Sequence, residues 1–96
     1  MFIVTLRFGA NKARATEFMP QHNDWIQRGF EDGVFALVGS LQPNAGGAIL
    51  AHGATRSELE ERIKADPFVA HGIVSADIME IRTSRADERL QFLAQA

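Results

Sequence analysis

The chain has 96 residues, 46% of them hydrophobic and 23% charged, with a formal net charge of −2 and no cysteine. This length predicts a single domain over residues 1–96, with one modest core that a partner chain often helps to stabilise. Scattered lysines and arginines lack the basic stripe that nucleic acid demands, the missing cysteines exclude disulfides, thiolate catalysis and Cys-ligated zinc, and no apolar run approaches the roughly 20 residues that span a bilayer. The opening MFIVTLRF has no basic leader or small-residue cleavage site, so a cytoplasmic location is expected.

Residues 2–8 alternate. Phe2, Val4, Leu6 and Phe8 point one way, and Ile3, Thr5 and Arg7 the other, which is the period of a strand. A helical pattern follows. Pro20 lacks an N–H and clashes with the turn before it, so the spacing places it in the first turn of a helix over 20–30. Residues 12–18 are expected as a separate turn or a kinked extension. Ala15, Phe18, His22, Trp25, Ile26 and Gly29 share one face by their three- and four-residue spacings.

Residues 34–39 (VFALVG) are apolar on both faces and read as a buried strand. A loop with Pro43, Asn44 and glycines leads into a third strand over 47–51. Thr55 opens a second helix, because Glu58 three residues on completes a capping box. That helix is expected to end near Asp66. Asp66 and Pro67 then set up one further turn, with Asp66 as N-cap and Gly72 as its stop. Residues 73–82 read as a fourth strand, and residues 84–96 as a C-terminal extension with a short helix docked by Leu90 and Leu93.

The order strand-helix-strand-strand-helix-strand predicts an α+β, ferredoxin-like βαββαβ domain, a four-stranded antiparallel sheet with two helices on one face. The second face of that sheet would carry apolar side chains, Ile3 among them. An exposed apolar face predicts a homodimer packed sheet to sheet.

The stretches MPQHNDWI, GGAIL and DPFVAHGIV, in this order and spacing, resemble the YciI-like (YCII-related) family. The matching positions are His22 with Trp25 and Ile26, Gly39, Gly46 and Gly47, and Asp66-Pro67-Phe68, within residues 1–83. The resemblance implies a dimeric α+β barrel and a His–Asp dyad at His22 and Asp66. It implies acid–base chemistry on a small organic molecule, without a cofactor: elimination, isomerisation or dehydrohalogenation. The chain departs from the family in two places. Many members read Arg-Pro-x-His where this chain has Met19-Pro20-Gln21-His22, and often Gly-Pro where it has Gly39-Ser40.

The residues themselves leave two readings open. Asp66 as an N-cap would stabilise its turn by about 1 kcal/mol. Its second oxygen leaves it free to orient an imidazole as well. His22 is either a histidine of the apolar helix face or a general acid/base. Apolar surroundings disfavour its charged form, and a nearby carboxylate favours it. Ser40 follows a glycine at a strand end but has no nucleophile elbow around it, which argues against covalent hydrolysis. Trp25, Ser40 and Phe68 are the candidate pocket residues, each with a structural alternative: core or dimer packing for Trp25, a plain loop residue for Ser40 and a core plug for Phe68. No close-spaced pair of metal ligands is present, so no metal is expected, and His52 and His71 read as surface turn residues. The competing function is a non-catalytic dimer that binds a small ligand or a protein, with the dyad serving only structure.

Overall fold

The alternating apolar residues of β1 (Phe2–Phe8) suit it to its place as one of the two interior strands of a four-stranded antiparallel sheet. The structure is a computed structural model and describes residues 1–94. β2 (Phe35–Leu41), β3 (Gly46–Ala51) and β4 (Val74–Glu80) complete the sheet in the order β2-β3-β1-β4. With α1 (Ala15–Glu31) between β1 and β2, and α2 (Arg56–Lys64) between β3 and β4, this is the expected α+β, ferredoxin-like arrangement. None of the described helices is long and apolar enough to cross a membrane.

Strand pairing sorts side chains into rows. Val38, Ile49, Val4 and Ile78 form one row on the helix-covered face, and Ser40, Gly47, Leu6 and Ala76 form the next. Leu37, Leu50, Ile3 and Met79 form a row on the opposite face. The pairing of β2 with β3 slips between Phe35 and Leu37. This bulge, which the sequence pattern did not reveal, lets Phe35 and Val38 both face the core although they stand three residues apart.

The core joins Phe2, Val4, Leu6, Phe35, Ile49 and Ala51 of the sheet to Trp25, Leu59, Ile63 and Phe68 of the helical layer. Gly29 is where α1 comes closest to the sheet, because a Cβ there would overlap the Phe35 ring. The indole N–H of Trp25 donates to the Arg62 carbonyl at 3.0 Å, and Arg62 pairs with Asp32 at 2.8 Å. These two contacts tie α1 to α2.

Several boundaries shift by one or two residues from the sequence reading, β3 starting at Gly46 and β4 spanning Val74–Glu80, and three differences are larger or have a physical cause. α1 starts at Ala15, after a short 3₁₀ turn at Lys12–Arg14, and runs through Pro20. The proline leaves the Thr16 carbonyl without its helical partner, but Thr16 and Pro20 are both exposed, where solvent can satisfy a backbone oxygen. β2 extends to Leu41, beyond the predicted glycine stop. The extension after Thr83 is not an α-helix from Ser84. It is a kinked 3₁₀ segment, Glu88–Ala94, with Leu90 outside helical geometry.

Asp87 sets where that segment starts, taking the Arg89 N–H on its carboxylate at 2.9 Å and the Leu90 N–H on its carbonyl at 2.8 Å. So short a segment is marginal as an α-helix. Leu93 docks at 5% exposure, beside Met1 and Phe2, whereas the other expected anchor, Leu90, is 46% exposed. The predicted helix's last two residues, 95 and 96, lie outside the described residues.

Candidate functional site

His22 lies one turn before Trp25 on the inward face of α1. Asp66 ends the link from α2 and caps α3 (Pro67–Ala70). The proline at the first position of α3 has no N–H to satisfy, and the next amide, Phe68 N–H, donates to Asp66 Oδ1 at 3.1 Å. The same oxygen lies 2.7 Å from His22 Nδ1. Capping and imidazole contact therefore meet at a single atom.

Asp66 is completely buried, and its Oδ2 has no hydrogen-bond partner among the described residues. Phe68 fixes the imidazole from the side. The two rings are stacked, 3.9 Å apart and 2° from parallel. Trp25 stacks on the imidazole more loosely, at 5.8 Å and 24°. With Nδ1 donating to the carboxylate, a neutral imidazole carries its lone pair on Nε2.

His22 opens onto a cavity of about 330 Å³ between α1 and the sheet. Met19, Asn23 and Ile26 of α1 form one wall, and Phe68 and Val74 another. The sheet supplies Leu6, Phe8, Val38, Ser40, Gly47 and Ile49. Among the described residues, Leu93 of the tail lies beside Met1 and Phe2, at the other end of β1 from Leu6 and Phe8, and no tail residue joins the lining.

Of the residues singled out in the sequence, His22 and Asp66 are in contact, and Ser40 and Phe68 line the cavity. Trp25 takes the core-packing alternative. It is 3% exposed and absent from the cavity wall, because three residues beyond His22 its ring turns toward Phe35 and its N–H is committed to α2. His71 stacks on Phe18 at 4.0 Å, and His52 meets the edge of Phe92. Among the described residues no group of three or more His, Cys, Asp or Glu side chains is placed to hold a metal ion.

Sequence reasoning missed Met19, Asn23, Gly47 and Val38 as lining residues. Met19 was within reach of it, since it precedes His22 by three positions on the same helix. Gly47 was not, because the cavity above it depends on how β3 pairs with both neighbours.

None of the curated proteins matches this sequence. Among solved structures the fold is similar to 5-chloro-2-hydroxyhydroquinone dehydrochlorinase from Burkholderia phenoliruptrix, determined in complex with 2,5-dihydroxybenzoquinone. That likeness has a TM-score of 0.67 at 11% identity, and covers 84% of this chain and 93% of the other. The family model of the YCII-related domain matches residues 1–82, and the chain belongs to that family.

Proposed function

We propose that the cavity binds a small organic molecule, and that His22, oriented by Asp66, moves a proton to or from it. The observation that carries this reading is the complete burial of Asp66, with one oxygen shared between the Phe68 amide and the imidazole. A turn cap is worth about 1 kcal/mol and is usually solvated. Burying a carboxylate and leaving one oxygen unpartnered costs more than that, about 1–3 kcal/mol for the unmade hydrogen bond alone. Capping by itself does not justify such a group, whereas holding an imidazole in one tautomer does.

In this reading Nε2 takes a proton from an activated carbon or hydroxyl of the substrate. The electron pair left behind forms a double bond. It either expels a leaving group with its bonding electrons, as in loss of hydrogen chloride, or displaces the π pair of an adjacent double bond, whose far atom, two atoms along, takes the proton back from the imidazolium. Asp66 stabilises the imidazolium between the two events. Ser40 supplies a hydroxyl on the sheet side for a polar substituent, and Phe68 is both wall and imidazole clamp. The resemblance of the fold to a dehydrochlorinase supports elimination as the first chemistry to try.

The protein acts as a homodimer in this proposal. Leu37 and Met79 are each 58% exposed at the two ends of the outer apolar row, with Leu50 and Ile3 between them. A continuous apolar row across an uncovered sheet face favours a second sheet against it.

The test is chloride release from 5-chloro-2-hydroxyhydroquinone by the wild type and by His22→Gln, with thermal melts of both. We expect release by the wild type, and a fall in kcat of about 10²- to 10⁴-fold in the variant at a nearly unchanged Tm. Binding without release would favour a non-catalytic module. Release that survives His22→Gln would remove the imidazole from the mechanism.

A further inference from the structure

The cavity floor has a gap where a side chain belongs. Gly47 stands in the inward row between Ser40 and Leu6, two residues before the buried Ile49. Alternation along β3 therefore aims its missing side chain into the cavity that it lines. A Cβ built there meets only the Gly39 carbonyl oxygen, at 3.4 Å, which is ordinary contact. Its neighbour is different. Gly46 has φ +135° and a Cβ there would run into the Leu6 carbonyl, so that glycine is needed for the backbone to form. The backbone makes no such demand at Gly47, and what its hydrogen atom provides is depth.

Among the described residues, the lining also lacks fixed charge. His22, Asn23 and Ser40 are its polar side chains, and no Lys, Arg, Asp or Glu is among the residues that form it. Lys12 lies over the Phe8 ring, 4.9 Å from its centroid, and donates to the Asn44 carbonyl at 3.4 Å rather than lining the cavity. An anion entering such a space would lose its hydration with no paired cation in return. Size sets a second limit. An apolar cavity of about 150 Å³ suffices for benzene. The 330 Å³ here suits one substituted ring.

We propose that Gly47 is the specificity-determining position of this cavity, and that the cavity selects an uncharged, single-ring organic compound whose substituent reaches the space above Gly47. This rests on the cavity being the ligand site, as proposed above. The polar end of the ligand faces His22 and Ser40, and the bulk of its substituent sets how deeply it lies against β3.

Calorimetric titration with four probes tests it: hydroquinone, tert-butylhydroquinone, 2,5-dihydroxybenzamide and 2,5-dihydroxybenzoate. The proteins are the wild type, Gly47→Ala and Gly47→Val, with circular dichroism and melts to establish that each is folded. We expect the wild type to bind the neutral amide at least tenfold more tightly than the carboxylate of nearly the same shape. We expect Gly47→Ala to weaken tert-butylhydroquinone at least tenfold while hydroquinone changes less than threefold, and Gly47→Val to weaken both.

Equal affinity for amide and carboxylate overturns the charge rule. Uniform effects of Gly47→Ala across the ring series overturn the depth rule. Should the wild type bind none of the four, the ligand-site reading itself fails and this inference with it. That result is distinct from binding that merely ignores residue 47.

Discussion

At the scale of single residues, Asp66 couples a backbone turn to an imidazole through one oxygen atom. The substitutions Asp66→Ala and Asp66→Asn separate the two duties. Alanine removes the acceptor for the Phe68 amide and the partner of His22, and we expect a loss of about 1–3 kcal/mol in urea unfolding. Asparagine keeps an oxygen for the amide but carries no net charge, so its loss is expected to be less than half as large. Equal losses in both variants would mean that charge, not capping, dominates the stability of the turn. The pairing of His22 with Asp66 came from the family resemblance, because the residues alone, a histidine on an amphipathic helix face and an aspartate before a proline, leave core and cap readings open. Trp25 stayed open between pocket and core because periodicity gives the face of a helix and not the angle within that face. One hundred degrees per residue is coarse enough to confuse a cavity wall with the core beside it.

At the scale of elements, the second helix was the most legible, since Thr55 and Glu58 announce its start by spacing alone. The structure has both halves of the box, with Glu58 N–H donating to the Thr55 hydroxyl at 3.2 Å and Thr55 N–H to the Glu58 carboxylate at 2.8 Å. The backbone N–H and then the side chain of Thr55 hold the Glu58 carboxyl below its ordinary value. A carboxyl depressed in the folded state stabilises fully above its unfolded pKa, and that contribution is lost as pH falls through the lower folded value. Thermal melts of wild type and Glu58→Ala should therefore differ at neutral pH and converge below about pH 4, near and under the ordinary glutamate value. A gap that stays constant down to pH 2.5 would assign the difference to helix packing instead. The first helix was less legible. Propensity rules place a proline at a helix start, whereas here solvent at Thr16 and Pro20 makes an internal proline tolerable, and exposure is not written in the local sequence.

At the scale of the whole molecule, strand order followed from the alternation of helices and strands, and the two-sided apolar character of β2 and β3 pointed to a partner. The outer row from Leu37 to Met79 is where that expectation can be tested. Replacing both end residues, Leu37→Lys with Met79→Lys, sets like charges on a face that is already half-exposed in the single chain, so the subunit itself should stay folded. We expect sedimentation to show a dimer for the wild type and a monomer for the double variant. A wild type that sediments as a monomer at high micromolar concentration would refute the sheet-to-sheet assembly. The cavity was the least legible part. Its outline arises from the bulge at Phe35/Leu37, the register of β3 and the turn at Asp66 taken together, and no window of consecutive residues contains all three.

The shared oxygen of Asp66 has one more consequence. Hydrogen bonds compete for electron density at a common acceptor, so an imidazole that gains a proton draws the carboxylate toward itself and slackens its hold on the Phe68 amide. The amide proton resonance of Phe68 should then move upfield, and its exchange with deuterated solvent should quicken. The backbone thus carries a native spectroscopic gauge of charge at the site, readable without label or dye and before any substrate is known.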